Sequence, residues 1–264
     1  MKNIIILILG LLNVFLLAAL ALRGTEAHTA EKIRQRELVA LFAADGMTLD
    51  PDLIPEDTDL SGWTLQRDEE LEQSTASFWL GEQPERTSQG GGICTYSSAQ
   101  GTAAFRDTGS FDVAGTLAEQ NARALCEEFC RKFSYTEPVF TLDDTGSGIG
   151  TAVRQWEGAP VFNSTVTFTL EQGMLTAVSG SLLPDRAEAA PAEQPMLTAF
   201  AALTAFQQMR HESSSVVSTI TEISLCYELQ STAVAPMTLS PTWRIATDTA
   251  AFYVNCVSGT VRRA

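Results

Sequence analysis

Histidine is nearly absent from this chain, which carries only His28 and His211 in 264 residues. General acid–base work draws most often on histidine. No Gly-x-Ser-x-Gly, His-Glu-x-x-His or Ser-x-x-Lys motif is present to supply a nucleophile or a metal centre. The expectation is a protein that is not an enzyme and holds no cofactor or metal. Cations are scarce too, 17 Lys and Arg against 32 Asp and Glu, for a formal net charge of −15. That balance disfavours nucleic acid, whose phosphates need Lys and Arg, and equally disfavours adhesion of the folded part to anionic lipid. Five cysteines are too few to staple a chain of this length. Cys126 and Cys130, four apart, share a helix face but lack the spacing and partners of a redox motif or a zinc site. Cys126 and Cys130 read as buried small hydrophobes, and Cys256 occupies an alternating apolar strand position that reads as core.

Long apolar runs are likewise lacking, with one exception. Asn3 to Leu22 contains no charge over 20 positions, which at about 1.5 Å per helical residue matches a hydrocarbon core of about 30 Å. This predicts a transmembrane helix at 3–22 behind a short tail at 1–2. The competing reading is a cleaved signal peptide, since Lys2 gives a positive n-region and Ala19-Leu20-Ala21 has the small-x-small form; the run, however, exceeds the usual h-region. Arg23, Lys32, Arg34 and Arg36 follow the span, and a count of positive charges would put the bulk inside. A single Lys ahead of a long apolar segment is nevertheless the shape of a signal anchor, so the bulk is expected outside the cytoplasm.

What the chain does have is a pattern that occurs twice. Trp156 precedes Gly173 by 17 positions, with Val166, Phe168 and Leu170 alternating between them; Trp243 precedes Gly259 by 16, with Phe252, Val254 and Cys256 alternating. A helix-forming stretch leads each copy, Leu117 to Phe133 and Met196 to His211. The first helix has Thr116 as N-cap and Glu119 completing a capping box. Glu157-Gly158 and Gln172-Gly173 are hairpin turns, where Gly tolerates positive φ. Ahead of the repeats, Ala30 to Ala44 reads as an amphipathic helix with Ile33, Leu38, Leu41 and Phe42 on one stripe, stopped at Asp45-Gly46. From Trp63 to Val113 short strands are expected, including STASFWLG, with turns at Gln89–Gly92 and Thr108–Ser110. The resulting division is 23–47 juxtamembrane helix, 48–115 β-rich lobe, 116–183 first repeat, 184–195 linker, and 196–264 second repeat.

The remaining candidates for chemistry are weak. Thr145 to Gly150 lacks a phosphate-cradle lysine and spacing and reads as a loop. Asp143-Asp144 lacks the spaced oxygens of a calcium loop. Asn163-Ser164-Thr165 has glycosylation form within a strand. His211, at a helix end, suits a cap. Trp156, Trp243, Phe162 and Phe252 could line a groove, but their alternating strands favour the core.

Three stretches carry a family likeness. Gly46-Met47-x-Leu49 with Leu53-Ile54-Pro55 closes the juxtamembrane helix. Gln155-Trp156-Glu157-Gly158-Ala159-Pro160-Val161-Phe162 forms a strand turn, with Glu157 where Asn is usual. Pro241-Thr242-Trp243-Arg244-Ile245, then Phe252-Tyr253-Val254-Asn255 and Gly259-x-Val261, ends the chain. Together these resemble the YycI and YycH family, membrane-anchored accessory regulators of the YycFG (WalRK) two-component system; PepSY-type proteins share the last stretch. The resemblance implies an α+β fold with two PepSY-like repeats of helix plus antiparallel sheet. It also implies contact with a sensor histidine kinase similar to WalK (YycG), a paralogous YycH-like protein as a further partner, and residence at the cell membrane. Gly10, Ala18 and Ala19 are the small residues that would let the span approach a partner helix. Rival readings are an extracytoplasmic sensor of a cell-wall fragment or peptide, and a PepSY-type modulator of a protease.

Overall fold

The computed structural model describes residues 32–264 except 56–59, 185, 191–194, 214–215 and 233–234. The predicted span, His28, Gly10, Ala18 and Ala19 lie outside the described residues, among which no helix is long and apolar enough to cross a membrane. Among the described residues the fold is α+β, with four helices on one 14-stranded, largely antiparallel sheet.

Helix α1 spans residues 32–44, and strand β1 (Trp63–Leu65) follows a single 3-10 turn. The next segment, Glu69–Leu80, is helix α2 and not the strand expected from STASFWLG. Local capping explains the correction. Asp68 accepts from the backbone of Glu70 and Leu71, acids at 69, 70 and 72 suit the positive end of the helix dipole, and Gly81 at φ +84° stops it. Thr75, Ala76, Trp79 and Leu80 then fall on one buried face, a spacing of three and four that outweighs the β preference of the individual residues.

Strands β2 (Glu85–Gly90), β3 (Ile93–Ser98), β4 (Gly101–Arg106) and β5 (Ser110–Ala118) form a meander, with turns at both places the sequence marks. β5 runs through Thr116, so the expected helix start and capping box do not form. Gly115 lies against Gly101 so closely that a Cβ would meet the Gln100 carbonyl at 2.0 Å, and the Thr116 N–H is spent on that same carbonyl. The strand therefore continues, and helix α3 (Ala122–Lys132) begins only after Asn121, which sits at φ +58° and makes no side-chain cap. The 115/116 boundary consequently falls inside a strand.

After α3 come β6 (Val139–Leu142), β7 (Gly148–Trp156), β8 (Ala159–Glu171) and β9 (Met174–Ser181), each paired antiparallel with the next. β9 also pairs with β5, so the meander and these strands share one sheet, covered on one face by α2 and α3. Glu157 and Gly158 (φ +49° and +82°), like Gln172 and Gly173 (φ +52° and +82°), both have the positive φ that type I′ hairpins require.

The stretch expected to be a plain linker, 184–195, contains strand β10 (Ala187–Ala189), which pairs with β1. Helix α4 (Ala199–Ser213) is followed by β11 (Ile220–Thr232), β12 (Ala235–Thr247), β13 (Ala251–Asn255) and β14 (Val261–Arg263), again antiparallel in sequence order. The order helix then four-strand meander thus runs twice. Trp156 and Trp243 both lie on the second strand of their set, the first at its end and the second in its middle. Gly173 and Gly259 lie between the third and fourth strands of each.

The two sets join through a short parallel contact, Val161 beside Tyr227. The Asn163 side chain extends it as a substitute peptide, donating to the Leu229 carbonyl at 2.7 Å and accepting from the Leu229 N–H at 2.8 Å. Leu65, Val161, Leu183, Tyr227, Met237 and Leu239 fill the seam.

Candidate functional site: the junction of the first and last helices

The junction begins with how α1 ends. Gly46 takes φ +74°, allowing its N–H to reach the Ala43 carbonyl at 3.1 Å and the Met47 N–H to reach Phe42 at 2.9 Å. This is a Schellman motif, and Met47 and Phe42 share its apolar contact. The chain turns back and is stitched to the start of β11. Thr48 N–H donates to Ser218 at 2.8 Å, and Ile220 N–H to Thr48 at 3.0 Å.

Packing holds the helix down along one line. Leu38 and Phe42, one turn apart, are buried among Ala199, Ala202, Leu203 and Phe206 of α4. The Phe42 and Phe206 rings stack at 6.4 Å and 9°, and Phe206 in turn meets Phe252 of the sheet at 4.9 Å. Ile33 and Leu41, expected on this stripe, are half exposed on the outer side instead. The sequence stripe mixes faces because, at about 100° per residue, 41 lies roughly 60–100° and 33 roughly 140–180° from 38 and 42, and only the position of α4 decides which side is inner.

At the end of α1 a polar latch closes the junction. One oxygen of Asp45 accepts from His211 Nε2 at 2.9 Å and from the Gln207 amide. Arg210 lies 3.8 Å from the same carboxylate, donates to the Asp45 carbonyl at 3.2 Å, and reaches the Val217 carbonyl at 3.5 Å. An open cleft of about 400 Å³ lies beside the latch, walled by Asp45, Gly46, Arg210, His211, Val216 and Val217. Among the described residues His211 hydrogen-bonds to Asp45 alone. The junction thus couples α1 mechanically to the last helix and to the first strand of its sheet.

The other residues singled out from the sequence are distributed through the fold rather than gathered. Asp143 caps its own loop, accepting from Thr145 and Ser147 N–H at 2.9 Å and from the Thr145 hydroxyl at 2.6 Å. The Thr145 hydroxyl bond is the largest cause that holds its carboxyl below the ordinary carboxylate range. Thr145–Gly150 passes from a turn directly into β7. Among the described residues no group of three or more His, Cys, Asp or Glu stands close enough to hold a metal. All five cysteines are buried and free, and burial pushes the thiols of Cys126, Cys130, Cys226 and Cys256 up to about 12. Trp243 and Phe252 are core, with Trp243 Nε1 donating to the Leu197 carbonyl at 2.8 Å. Trp156 is half-buried edge-on against Trp63 at 6.1 Å, and Phe162 stacks on Tyr253 at 3.7 Å.

Two polar clusters escaped the sequence reading. Glu228, 3% exposed, pairs with Arg262 at 2.5 Å and accepts from Asn255 at 3.2 Å, clamping the last strand. Arg67 holds Glu72 with two hydrogen bonds, of 2.7 and 3.1 Å, and donates to the Gly92 carbonyl at 2.9 Å. Alternation places Glu228 and Arg262 on strands, but only the register of β11 to β14 brings them together. Of the junction itself the sequence marked the Asp45-Gly46 stop, Leu38 and Phe42 on the apolar stripe, and His211 at a helix end, but not their meeting.

No family model and no curated protein matches this chain. Among solved structures it is similar to an uncharacterized protein from Eubacterium rectale ATCC 33656, with a TM-score of 0.44, 11% identity and coverage of 77% of this chain and 85% of that one. It is also similar to the Bacillus megaterium YpeB C-terminal domain, with a TM-score of 0.37, 14% identity, and coverage of 76% and 98%.

Proposed function

We propose that this chain is a membrane-anchored, extracytoplasmic regulatory protein that modulates a sensor histidine kinase of a cell-wall-controlling two-component system by protein contact. The twice-run order of helix and four-strand meander is read as two PepSY-like modules, and the sequence resemblance to the YycI and YycH family supplies the kinase. One observation carries the reading. The chain that follows the apolar run enters the fold through α1, and α1 is fixed to the second module by Leu38, Phe42 and the Asp45 latch. A displacement that reached the start of α1 would therefore be delivered to α4 and β11. Gly10, Ala18 and Ala19 are the positions at which the span would approach that partner.

A span exchange tests the membrane part. Residues 3–22 are replaced by an unrelated apolar span of equal length, and phosphorylation of the kinase's response regulator is followed in the source cell. Loss of the response in a chimera that still localises and folds is expected. A chimera that regulates as the parent does overturns contact through the bilayer. A photocrosslinker at Leu41 provides the second arm, with a histidine kinase as the expected adduct; recovery only of proteins of other classes overturns the kinase assignment.

A further inference from the structure

We infer that the start of α1 is a contact surface for anionic phospholipid headgroups, formed by Lys32, Arg34 and Arg36 around the exposed side chain of Ile33. The inference rests on the membrane-anchored reading above and holds for either leaflet.

Three observations on α1 point the same way. Burial starts only at Leu38, so residues 32–37 stand clear of the core, with Gln35 alone half-buried. At about 1.5 Å per residue this is a stub of roughly 9 Å. Second, its three cations make no ion pair among the described residues, while seven of the twelve cations in residues 38–264 have one. Acids are plentiful. Residues 38–264 hold 29 Asp and Glu against 12 Lys and Arg, while the stub holds three cations against Glu37 alone. A body this acidic is repelled by an anionic surface, and the stub is the part of it with the opposite sign. Third, Ile33 is 49% exposed between Lys32 and Arg34. An apolar side chain flanked by cations suits the headgroup boundary, where the alkyl stems lie along the interface and the charges meet phosphate. The uncharged run at 3–22 would hold this stub within reach of the bilayer.

The cations attract and the body repels, so the predicted arrangement is polar. The stub rests on the headgroups and the two modules stand away from them, with α1 as the post. Each Lys or Arg near such a surface favours contact by about fivefold.

The test uses the full chain in nanodiscs of phosphatidylcholine, with and without phosphatidylglycerol. An environment-sensitive fluorophore is attached through Ile33→Cys, the five native thiols being buried. Lipids carrying a headgroup-level quencher report contact. Quenching is expected in the anionic discs, is expected to fall at least roughly tenfold when Lys32, Arg34 and Arg36 are all changed to Gln, and is expected to fade at about 1 M salt, where the Debye length is about 3 Å. Equal quenching in both lipids, or no effect of the triple change, overturns the headgroup contact while leaving the anchor intact. A chain that fails to co-purify with either disc overturns the anchor and this inference with it. Protection of the label in native membranes but not in anionic discs assigns the stub to an acidic protein partner and likewise overturns the lipid contact.

Discussion

Replacing Phe42 by Ala should release α1 from α4 while leaving the rest of the fold standing. Phe42 is fully buried, stacked on Phe206, and with Leu38 it forms the apolar seat of the helix. Truncating a buried Phe costs about 3–5 kcal/mol, combining lost burial with the cavity left behind. The large core under α2 and α3 shares no residue with this seat, so the loss falls on a local opening rather than on global unfolding. At about 3 kcal/mol, amide exchange in residues 38–46 accelerates by roughly a hundredfold or more, while amides of β7 and β8 keep their protection. Hydrogen exchange read by mass spectrometry separates the two regions. Leu41→Ala is the control. Leu41 is half exposed, and its truncation should stay within about 0.5 kcal/mol. Equal effects of the two substitutions, or simultaneous loss of protection in β7 and β8, would refute the picture of a separately docked helix.

Four further outcomes are expected. Asn163→Ala removes both side-chain bonds to Leu229 and leaves its peptide without them at the seam, which should cost about 1–3 kcal/mol in urea unfolding; an unchanged midpoint refutes the bridging role. Glu157→Asn should stabilise the chain by up to about 1 kcal/mol, because Asn tolerates the φ of +49° better than Glu. A lowered melting temperature would show that the Glu157 carboxylate beside the Tyr227 hydroxyl matters more than the backbone. Hydrogen bonding to Arg244, then to Ser224, lowers the Glu222 carboxyl. Its contribution is therefore present above the unfolded carboxylate value of about 4.3 and is lost as pH falls through the lower folded value, so Glu222→Gln should flatten the acid limb of a melting-temperature profile below about pH 4.3. Finally, a maleimide should label none of the five cysteines in the native chain and all five in denaturant, since every thiol is buried.

Legibility in the sequence followed the range of the interactions. Turns were readable from a few residues. Gly46, Glu157-Gly158 and Gln172-Gly173 announce positive φ, and all three adopt it. The alternation of Val166, Phe168 and Leu170, and of Phe252, Val254 and Cys256, marked core strands because a strand's own period decides which side is apolar. Cys126 and Cys130, lacking ligand partners, and Cys256, on an alternating strand, were recognisable as buried, and the structure buries them. Where two local signals competed, the sequence misled. At 69–80 the Asp68 cap and the three-and-four spacing outweighed β-forming residues. At Thr116 a well-formed capping box lost to the Gly101–Gly115 approach, which lies in the pairing of another strand.

The sequence by itself determined the charge imbalance, the one uncharged run, the double helix-and-strand order and most reversals, since each depends on composition or on neighbours along the chain. Tertiary structure alone decided which side of α1 is inner, that 187–189 pairs with 63–65, and that Asp45 meets Gln207, Arg210 and His211 more than 160 positions away. No local rule reaches that far. The physical reason is that a helix carries its apolar and polar faces with it from the start, whereas what each face meets is fixed only when distant segments exclude water together.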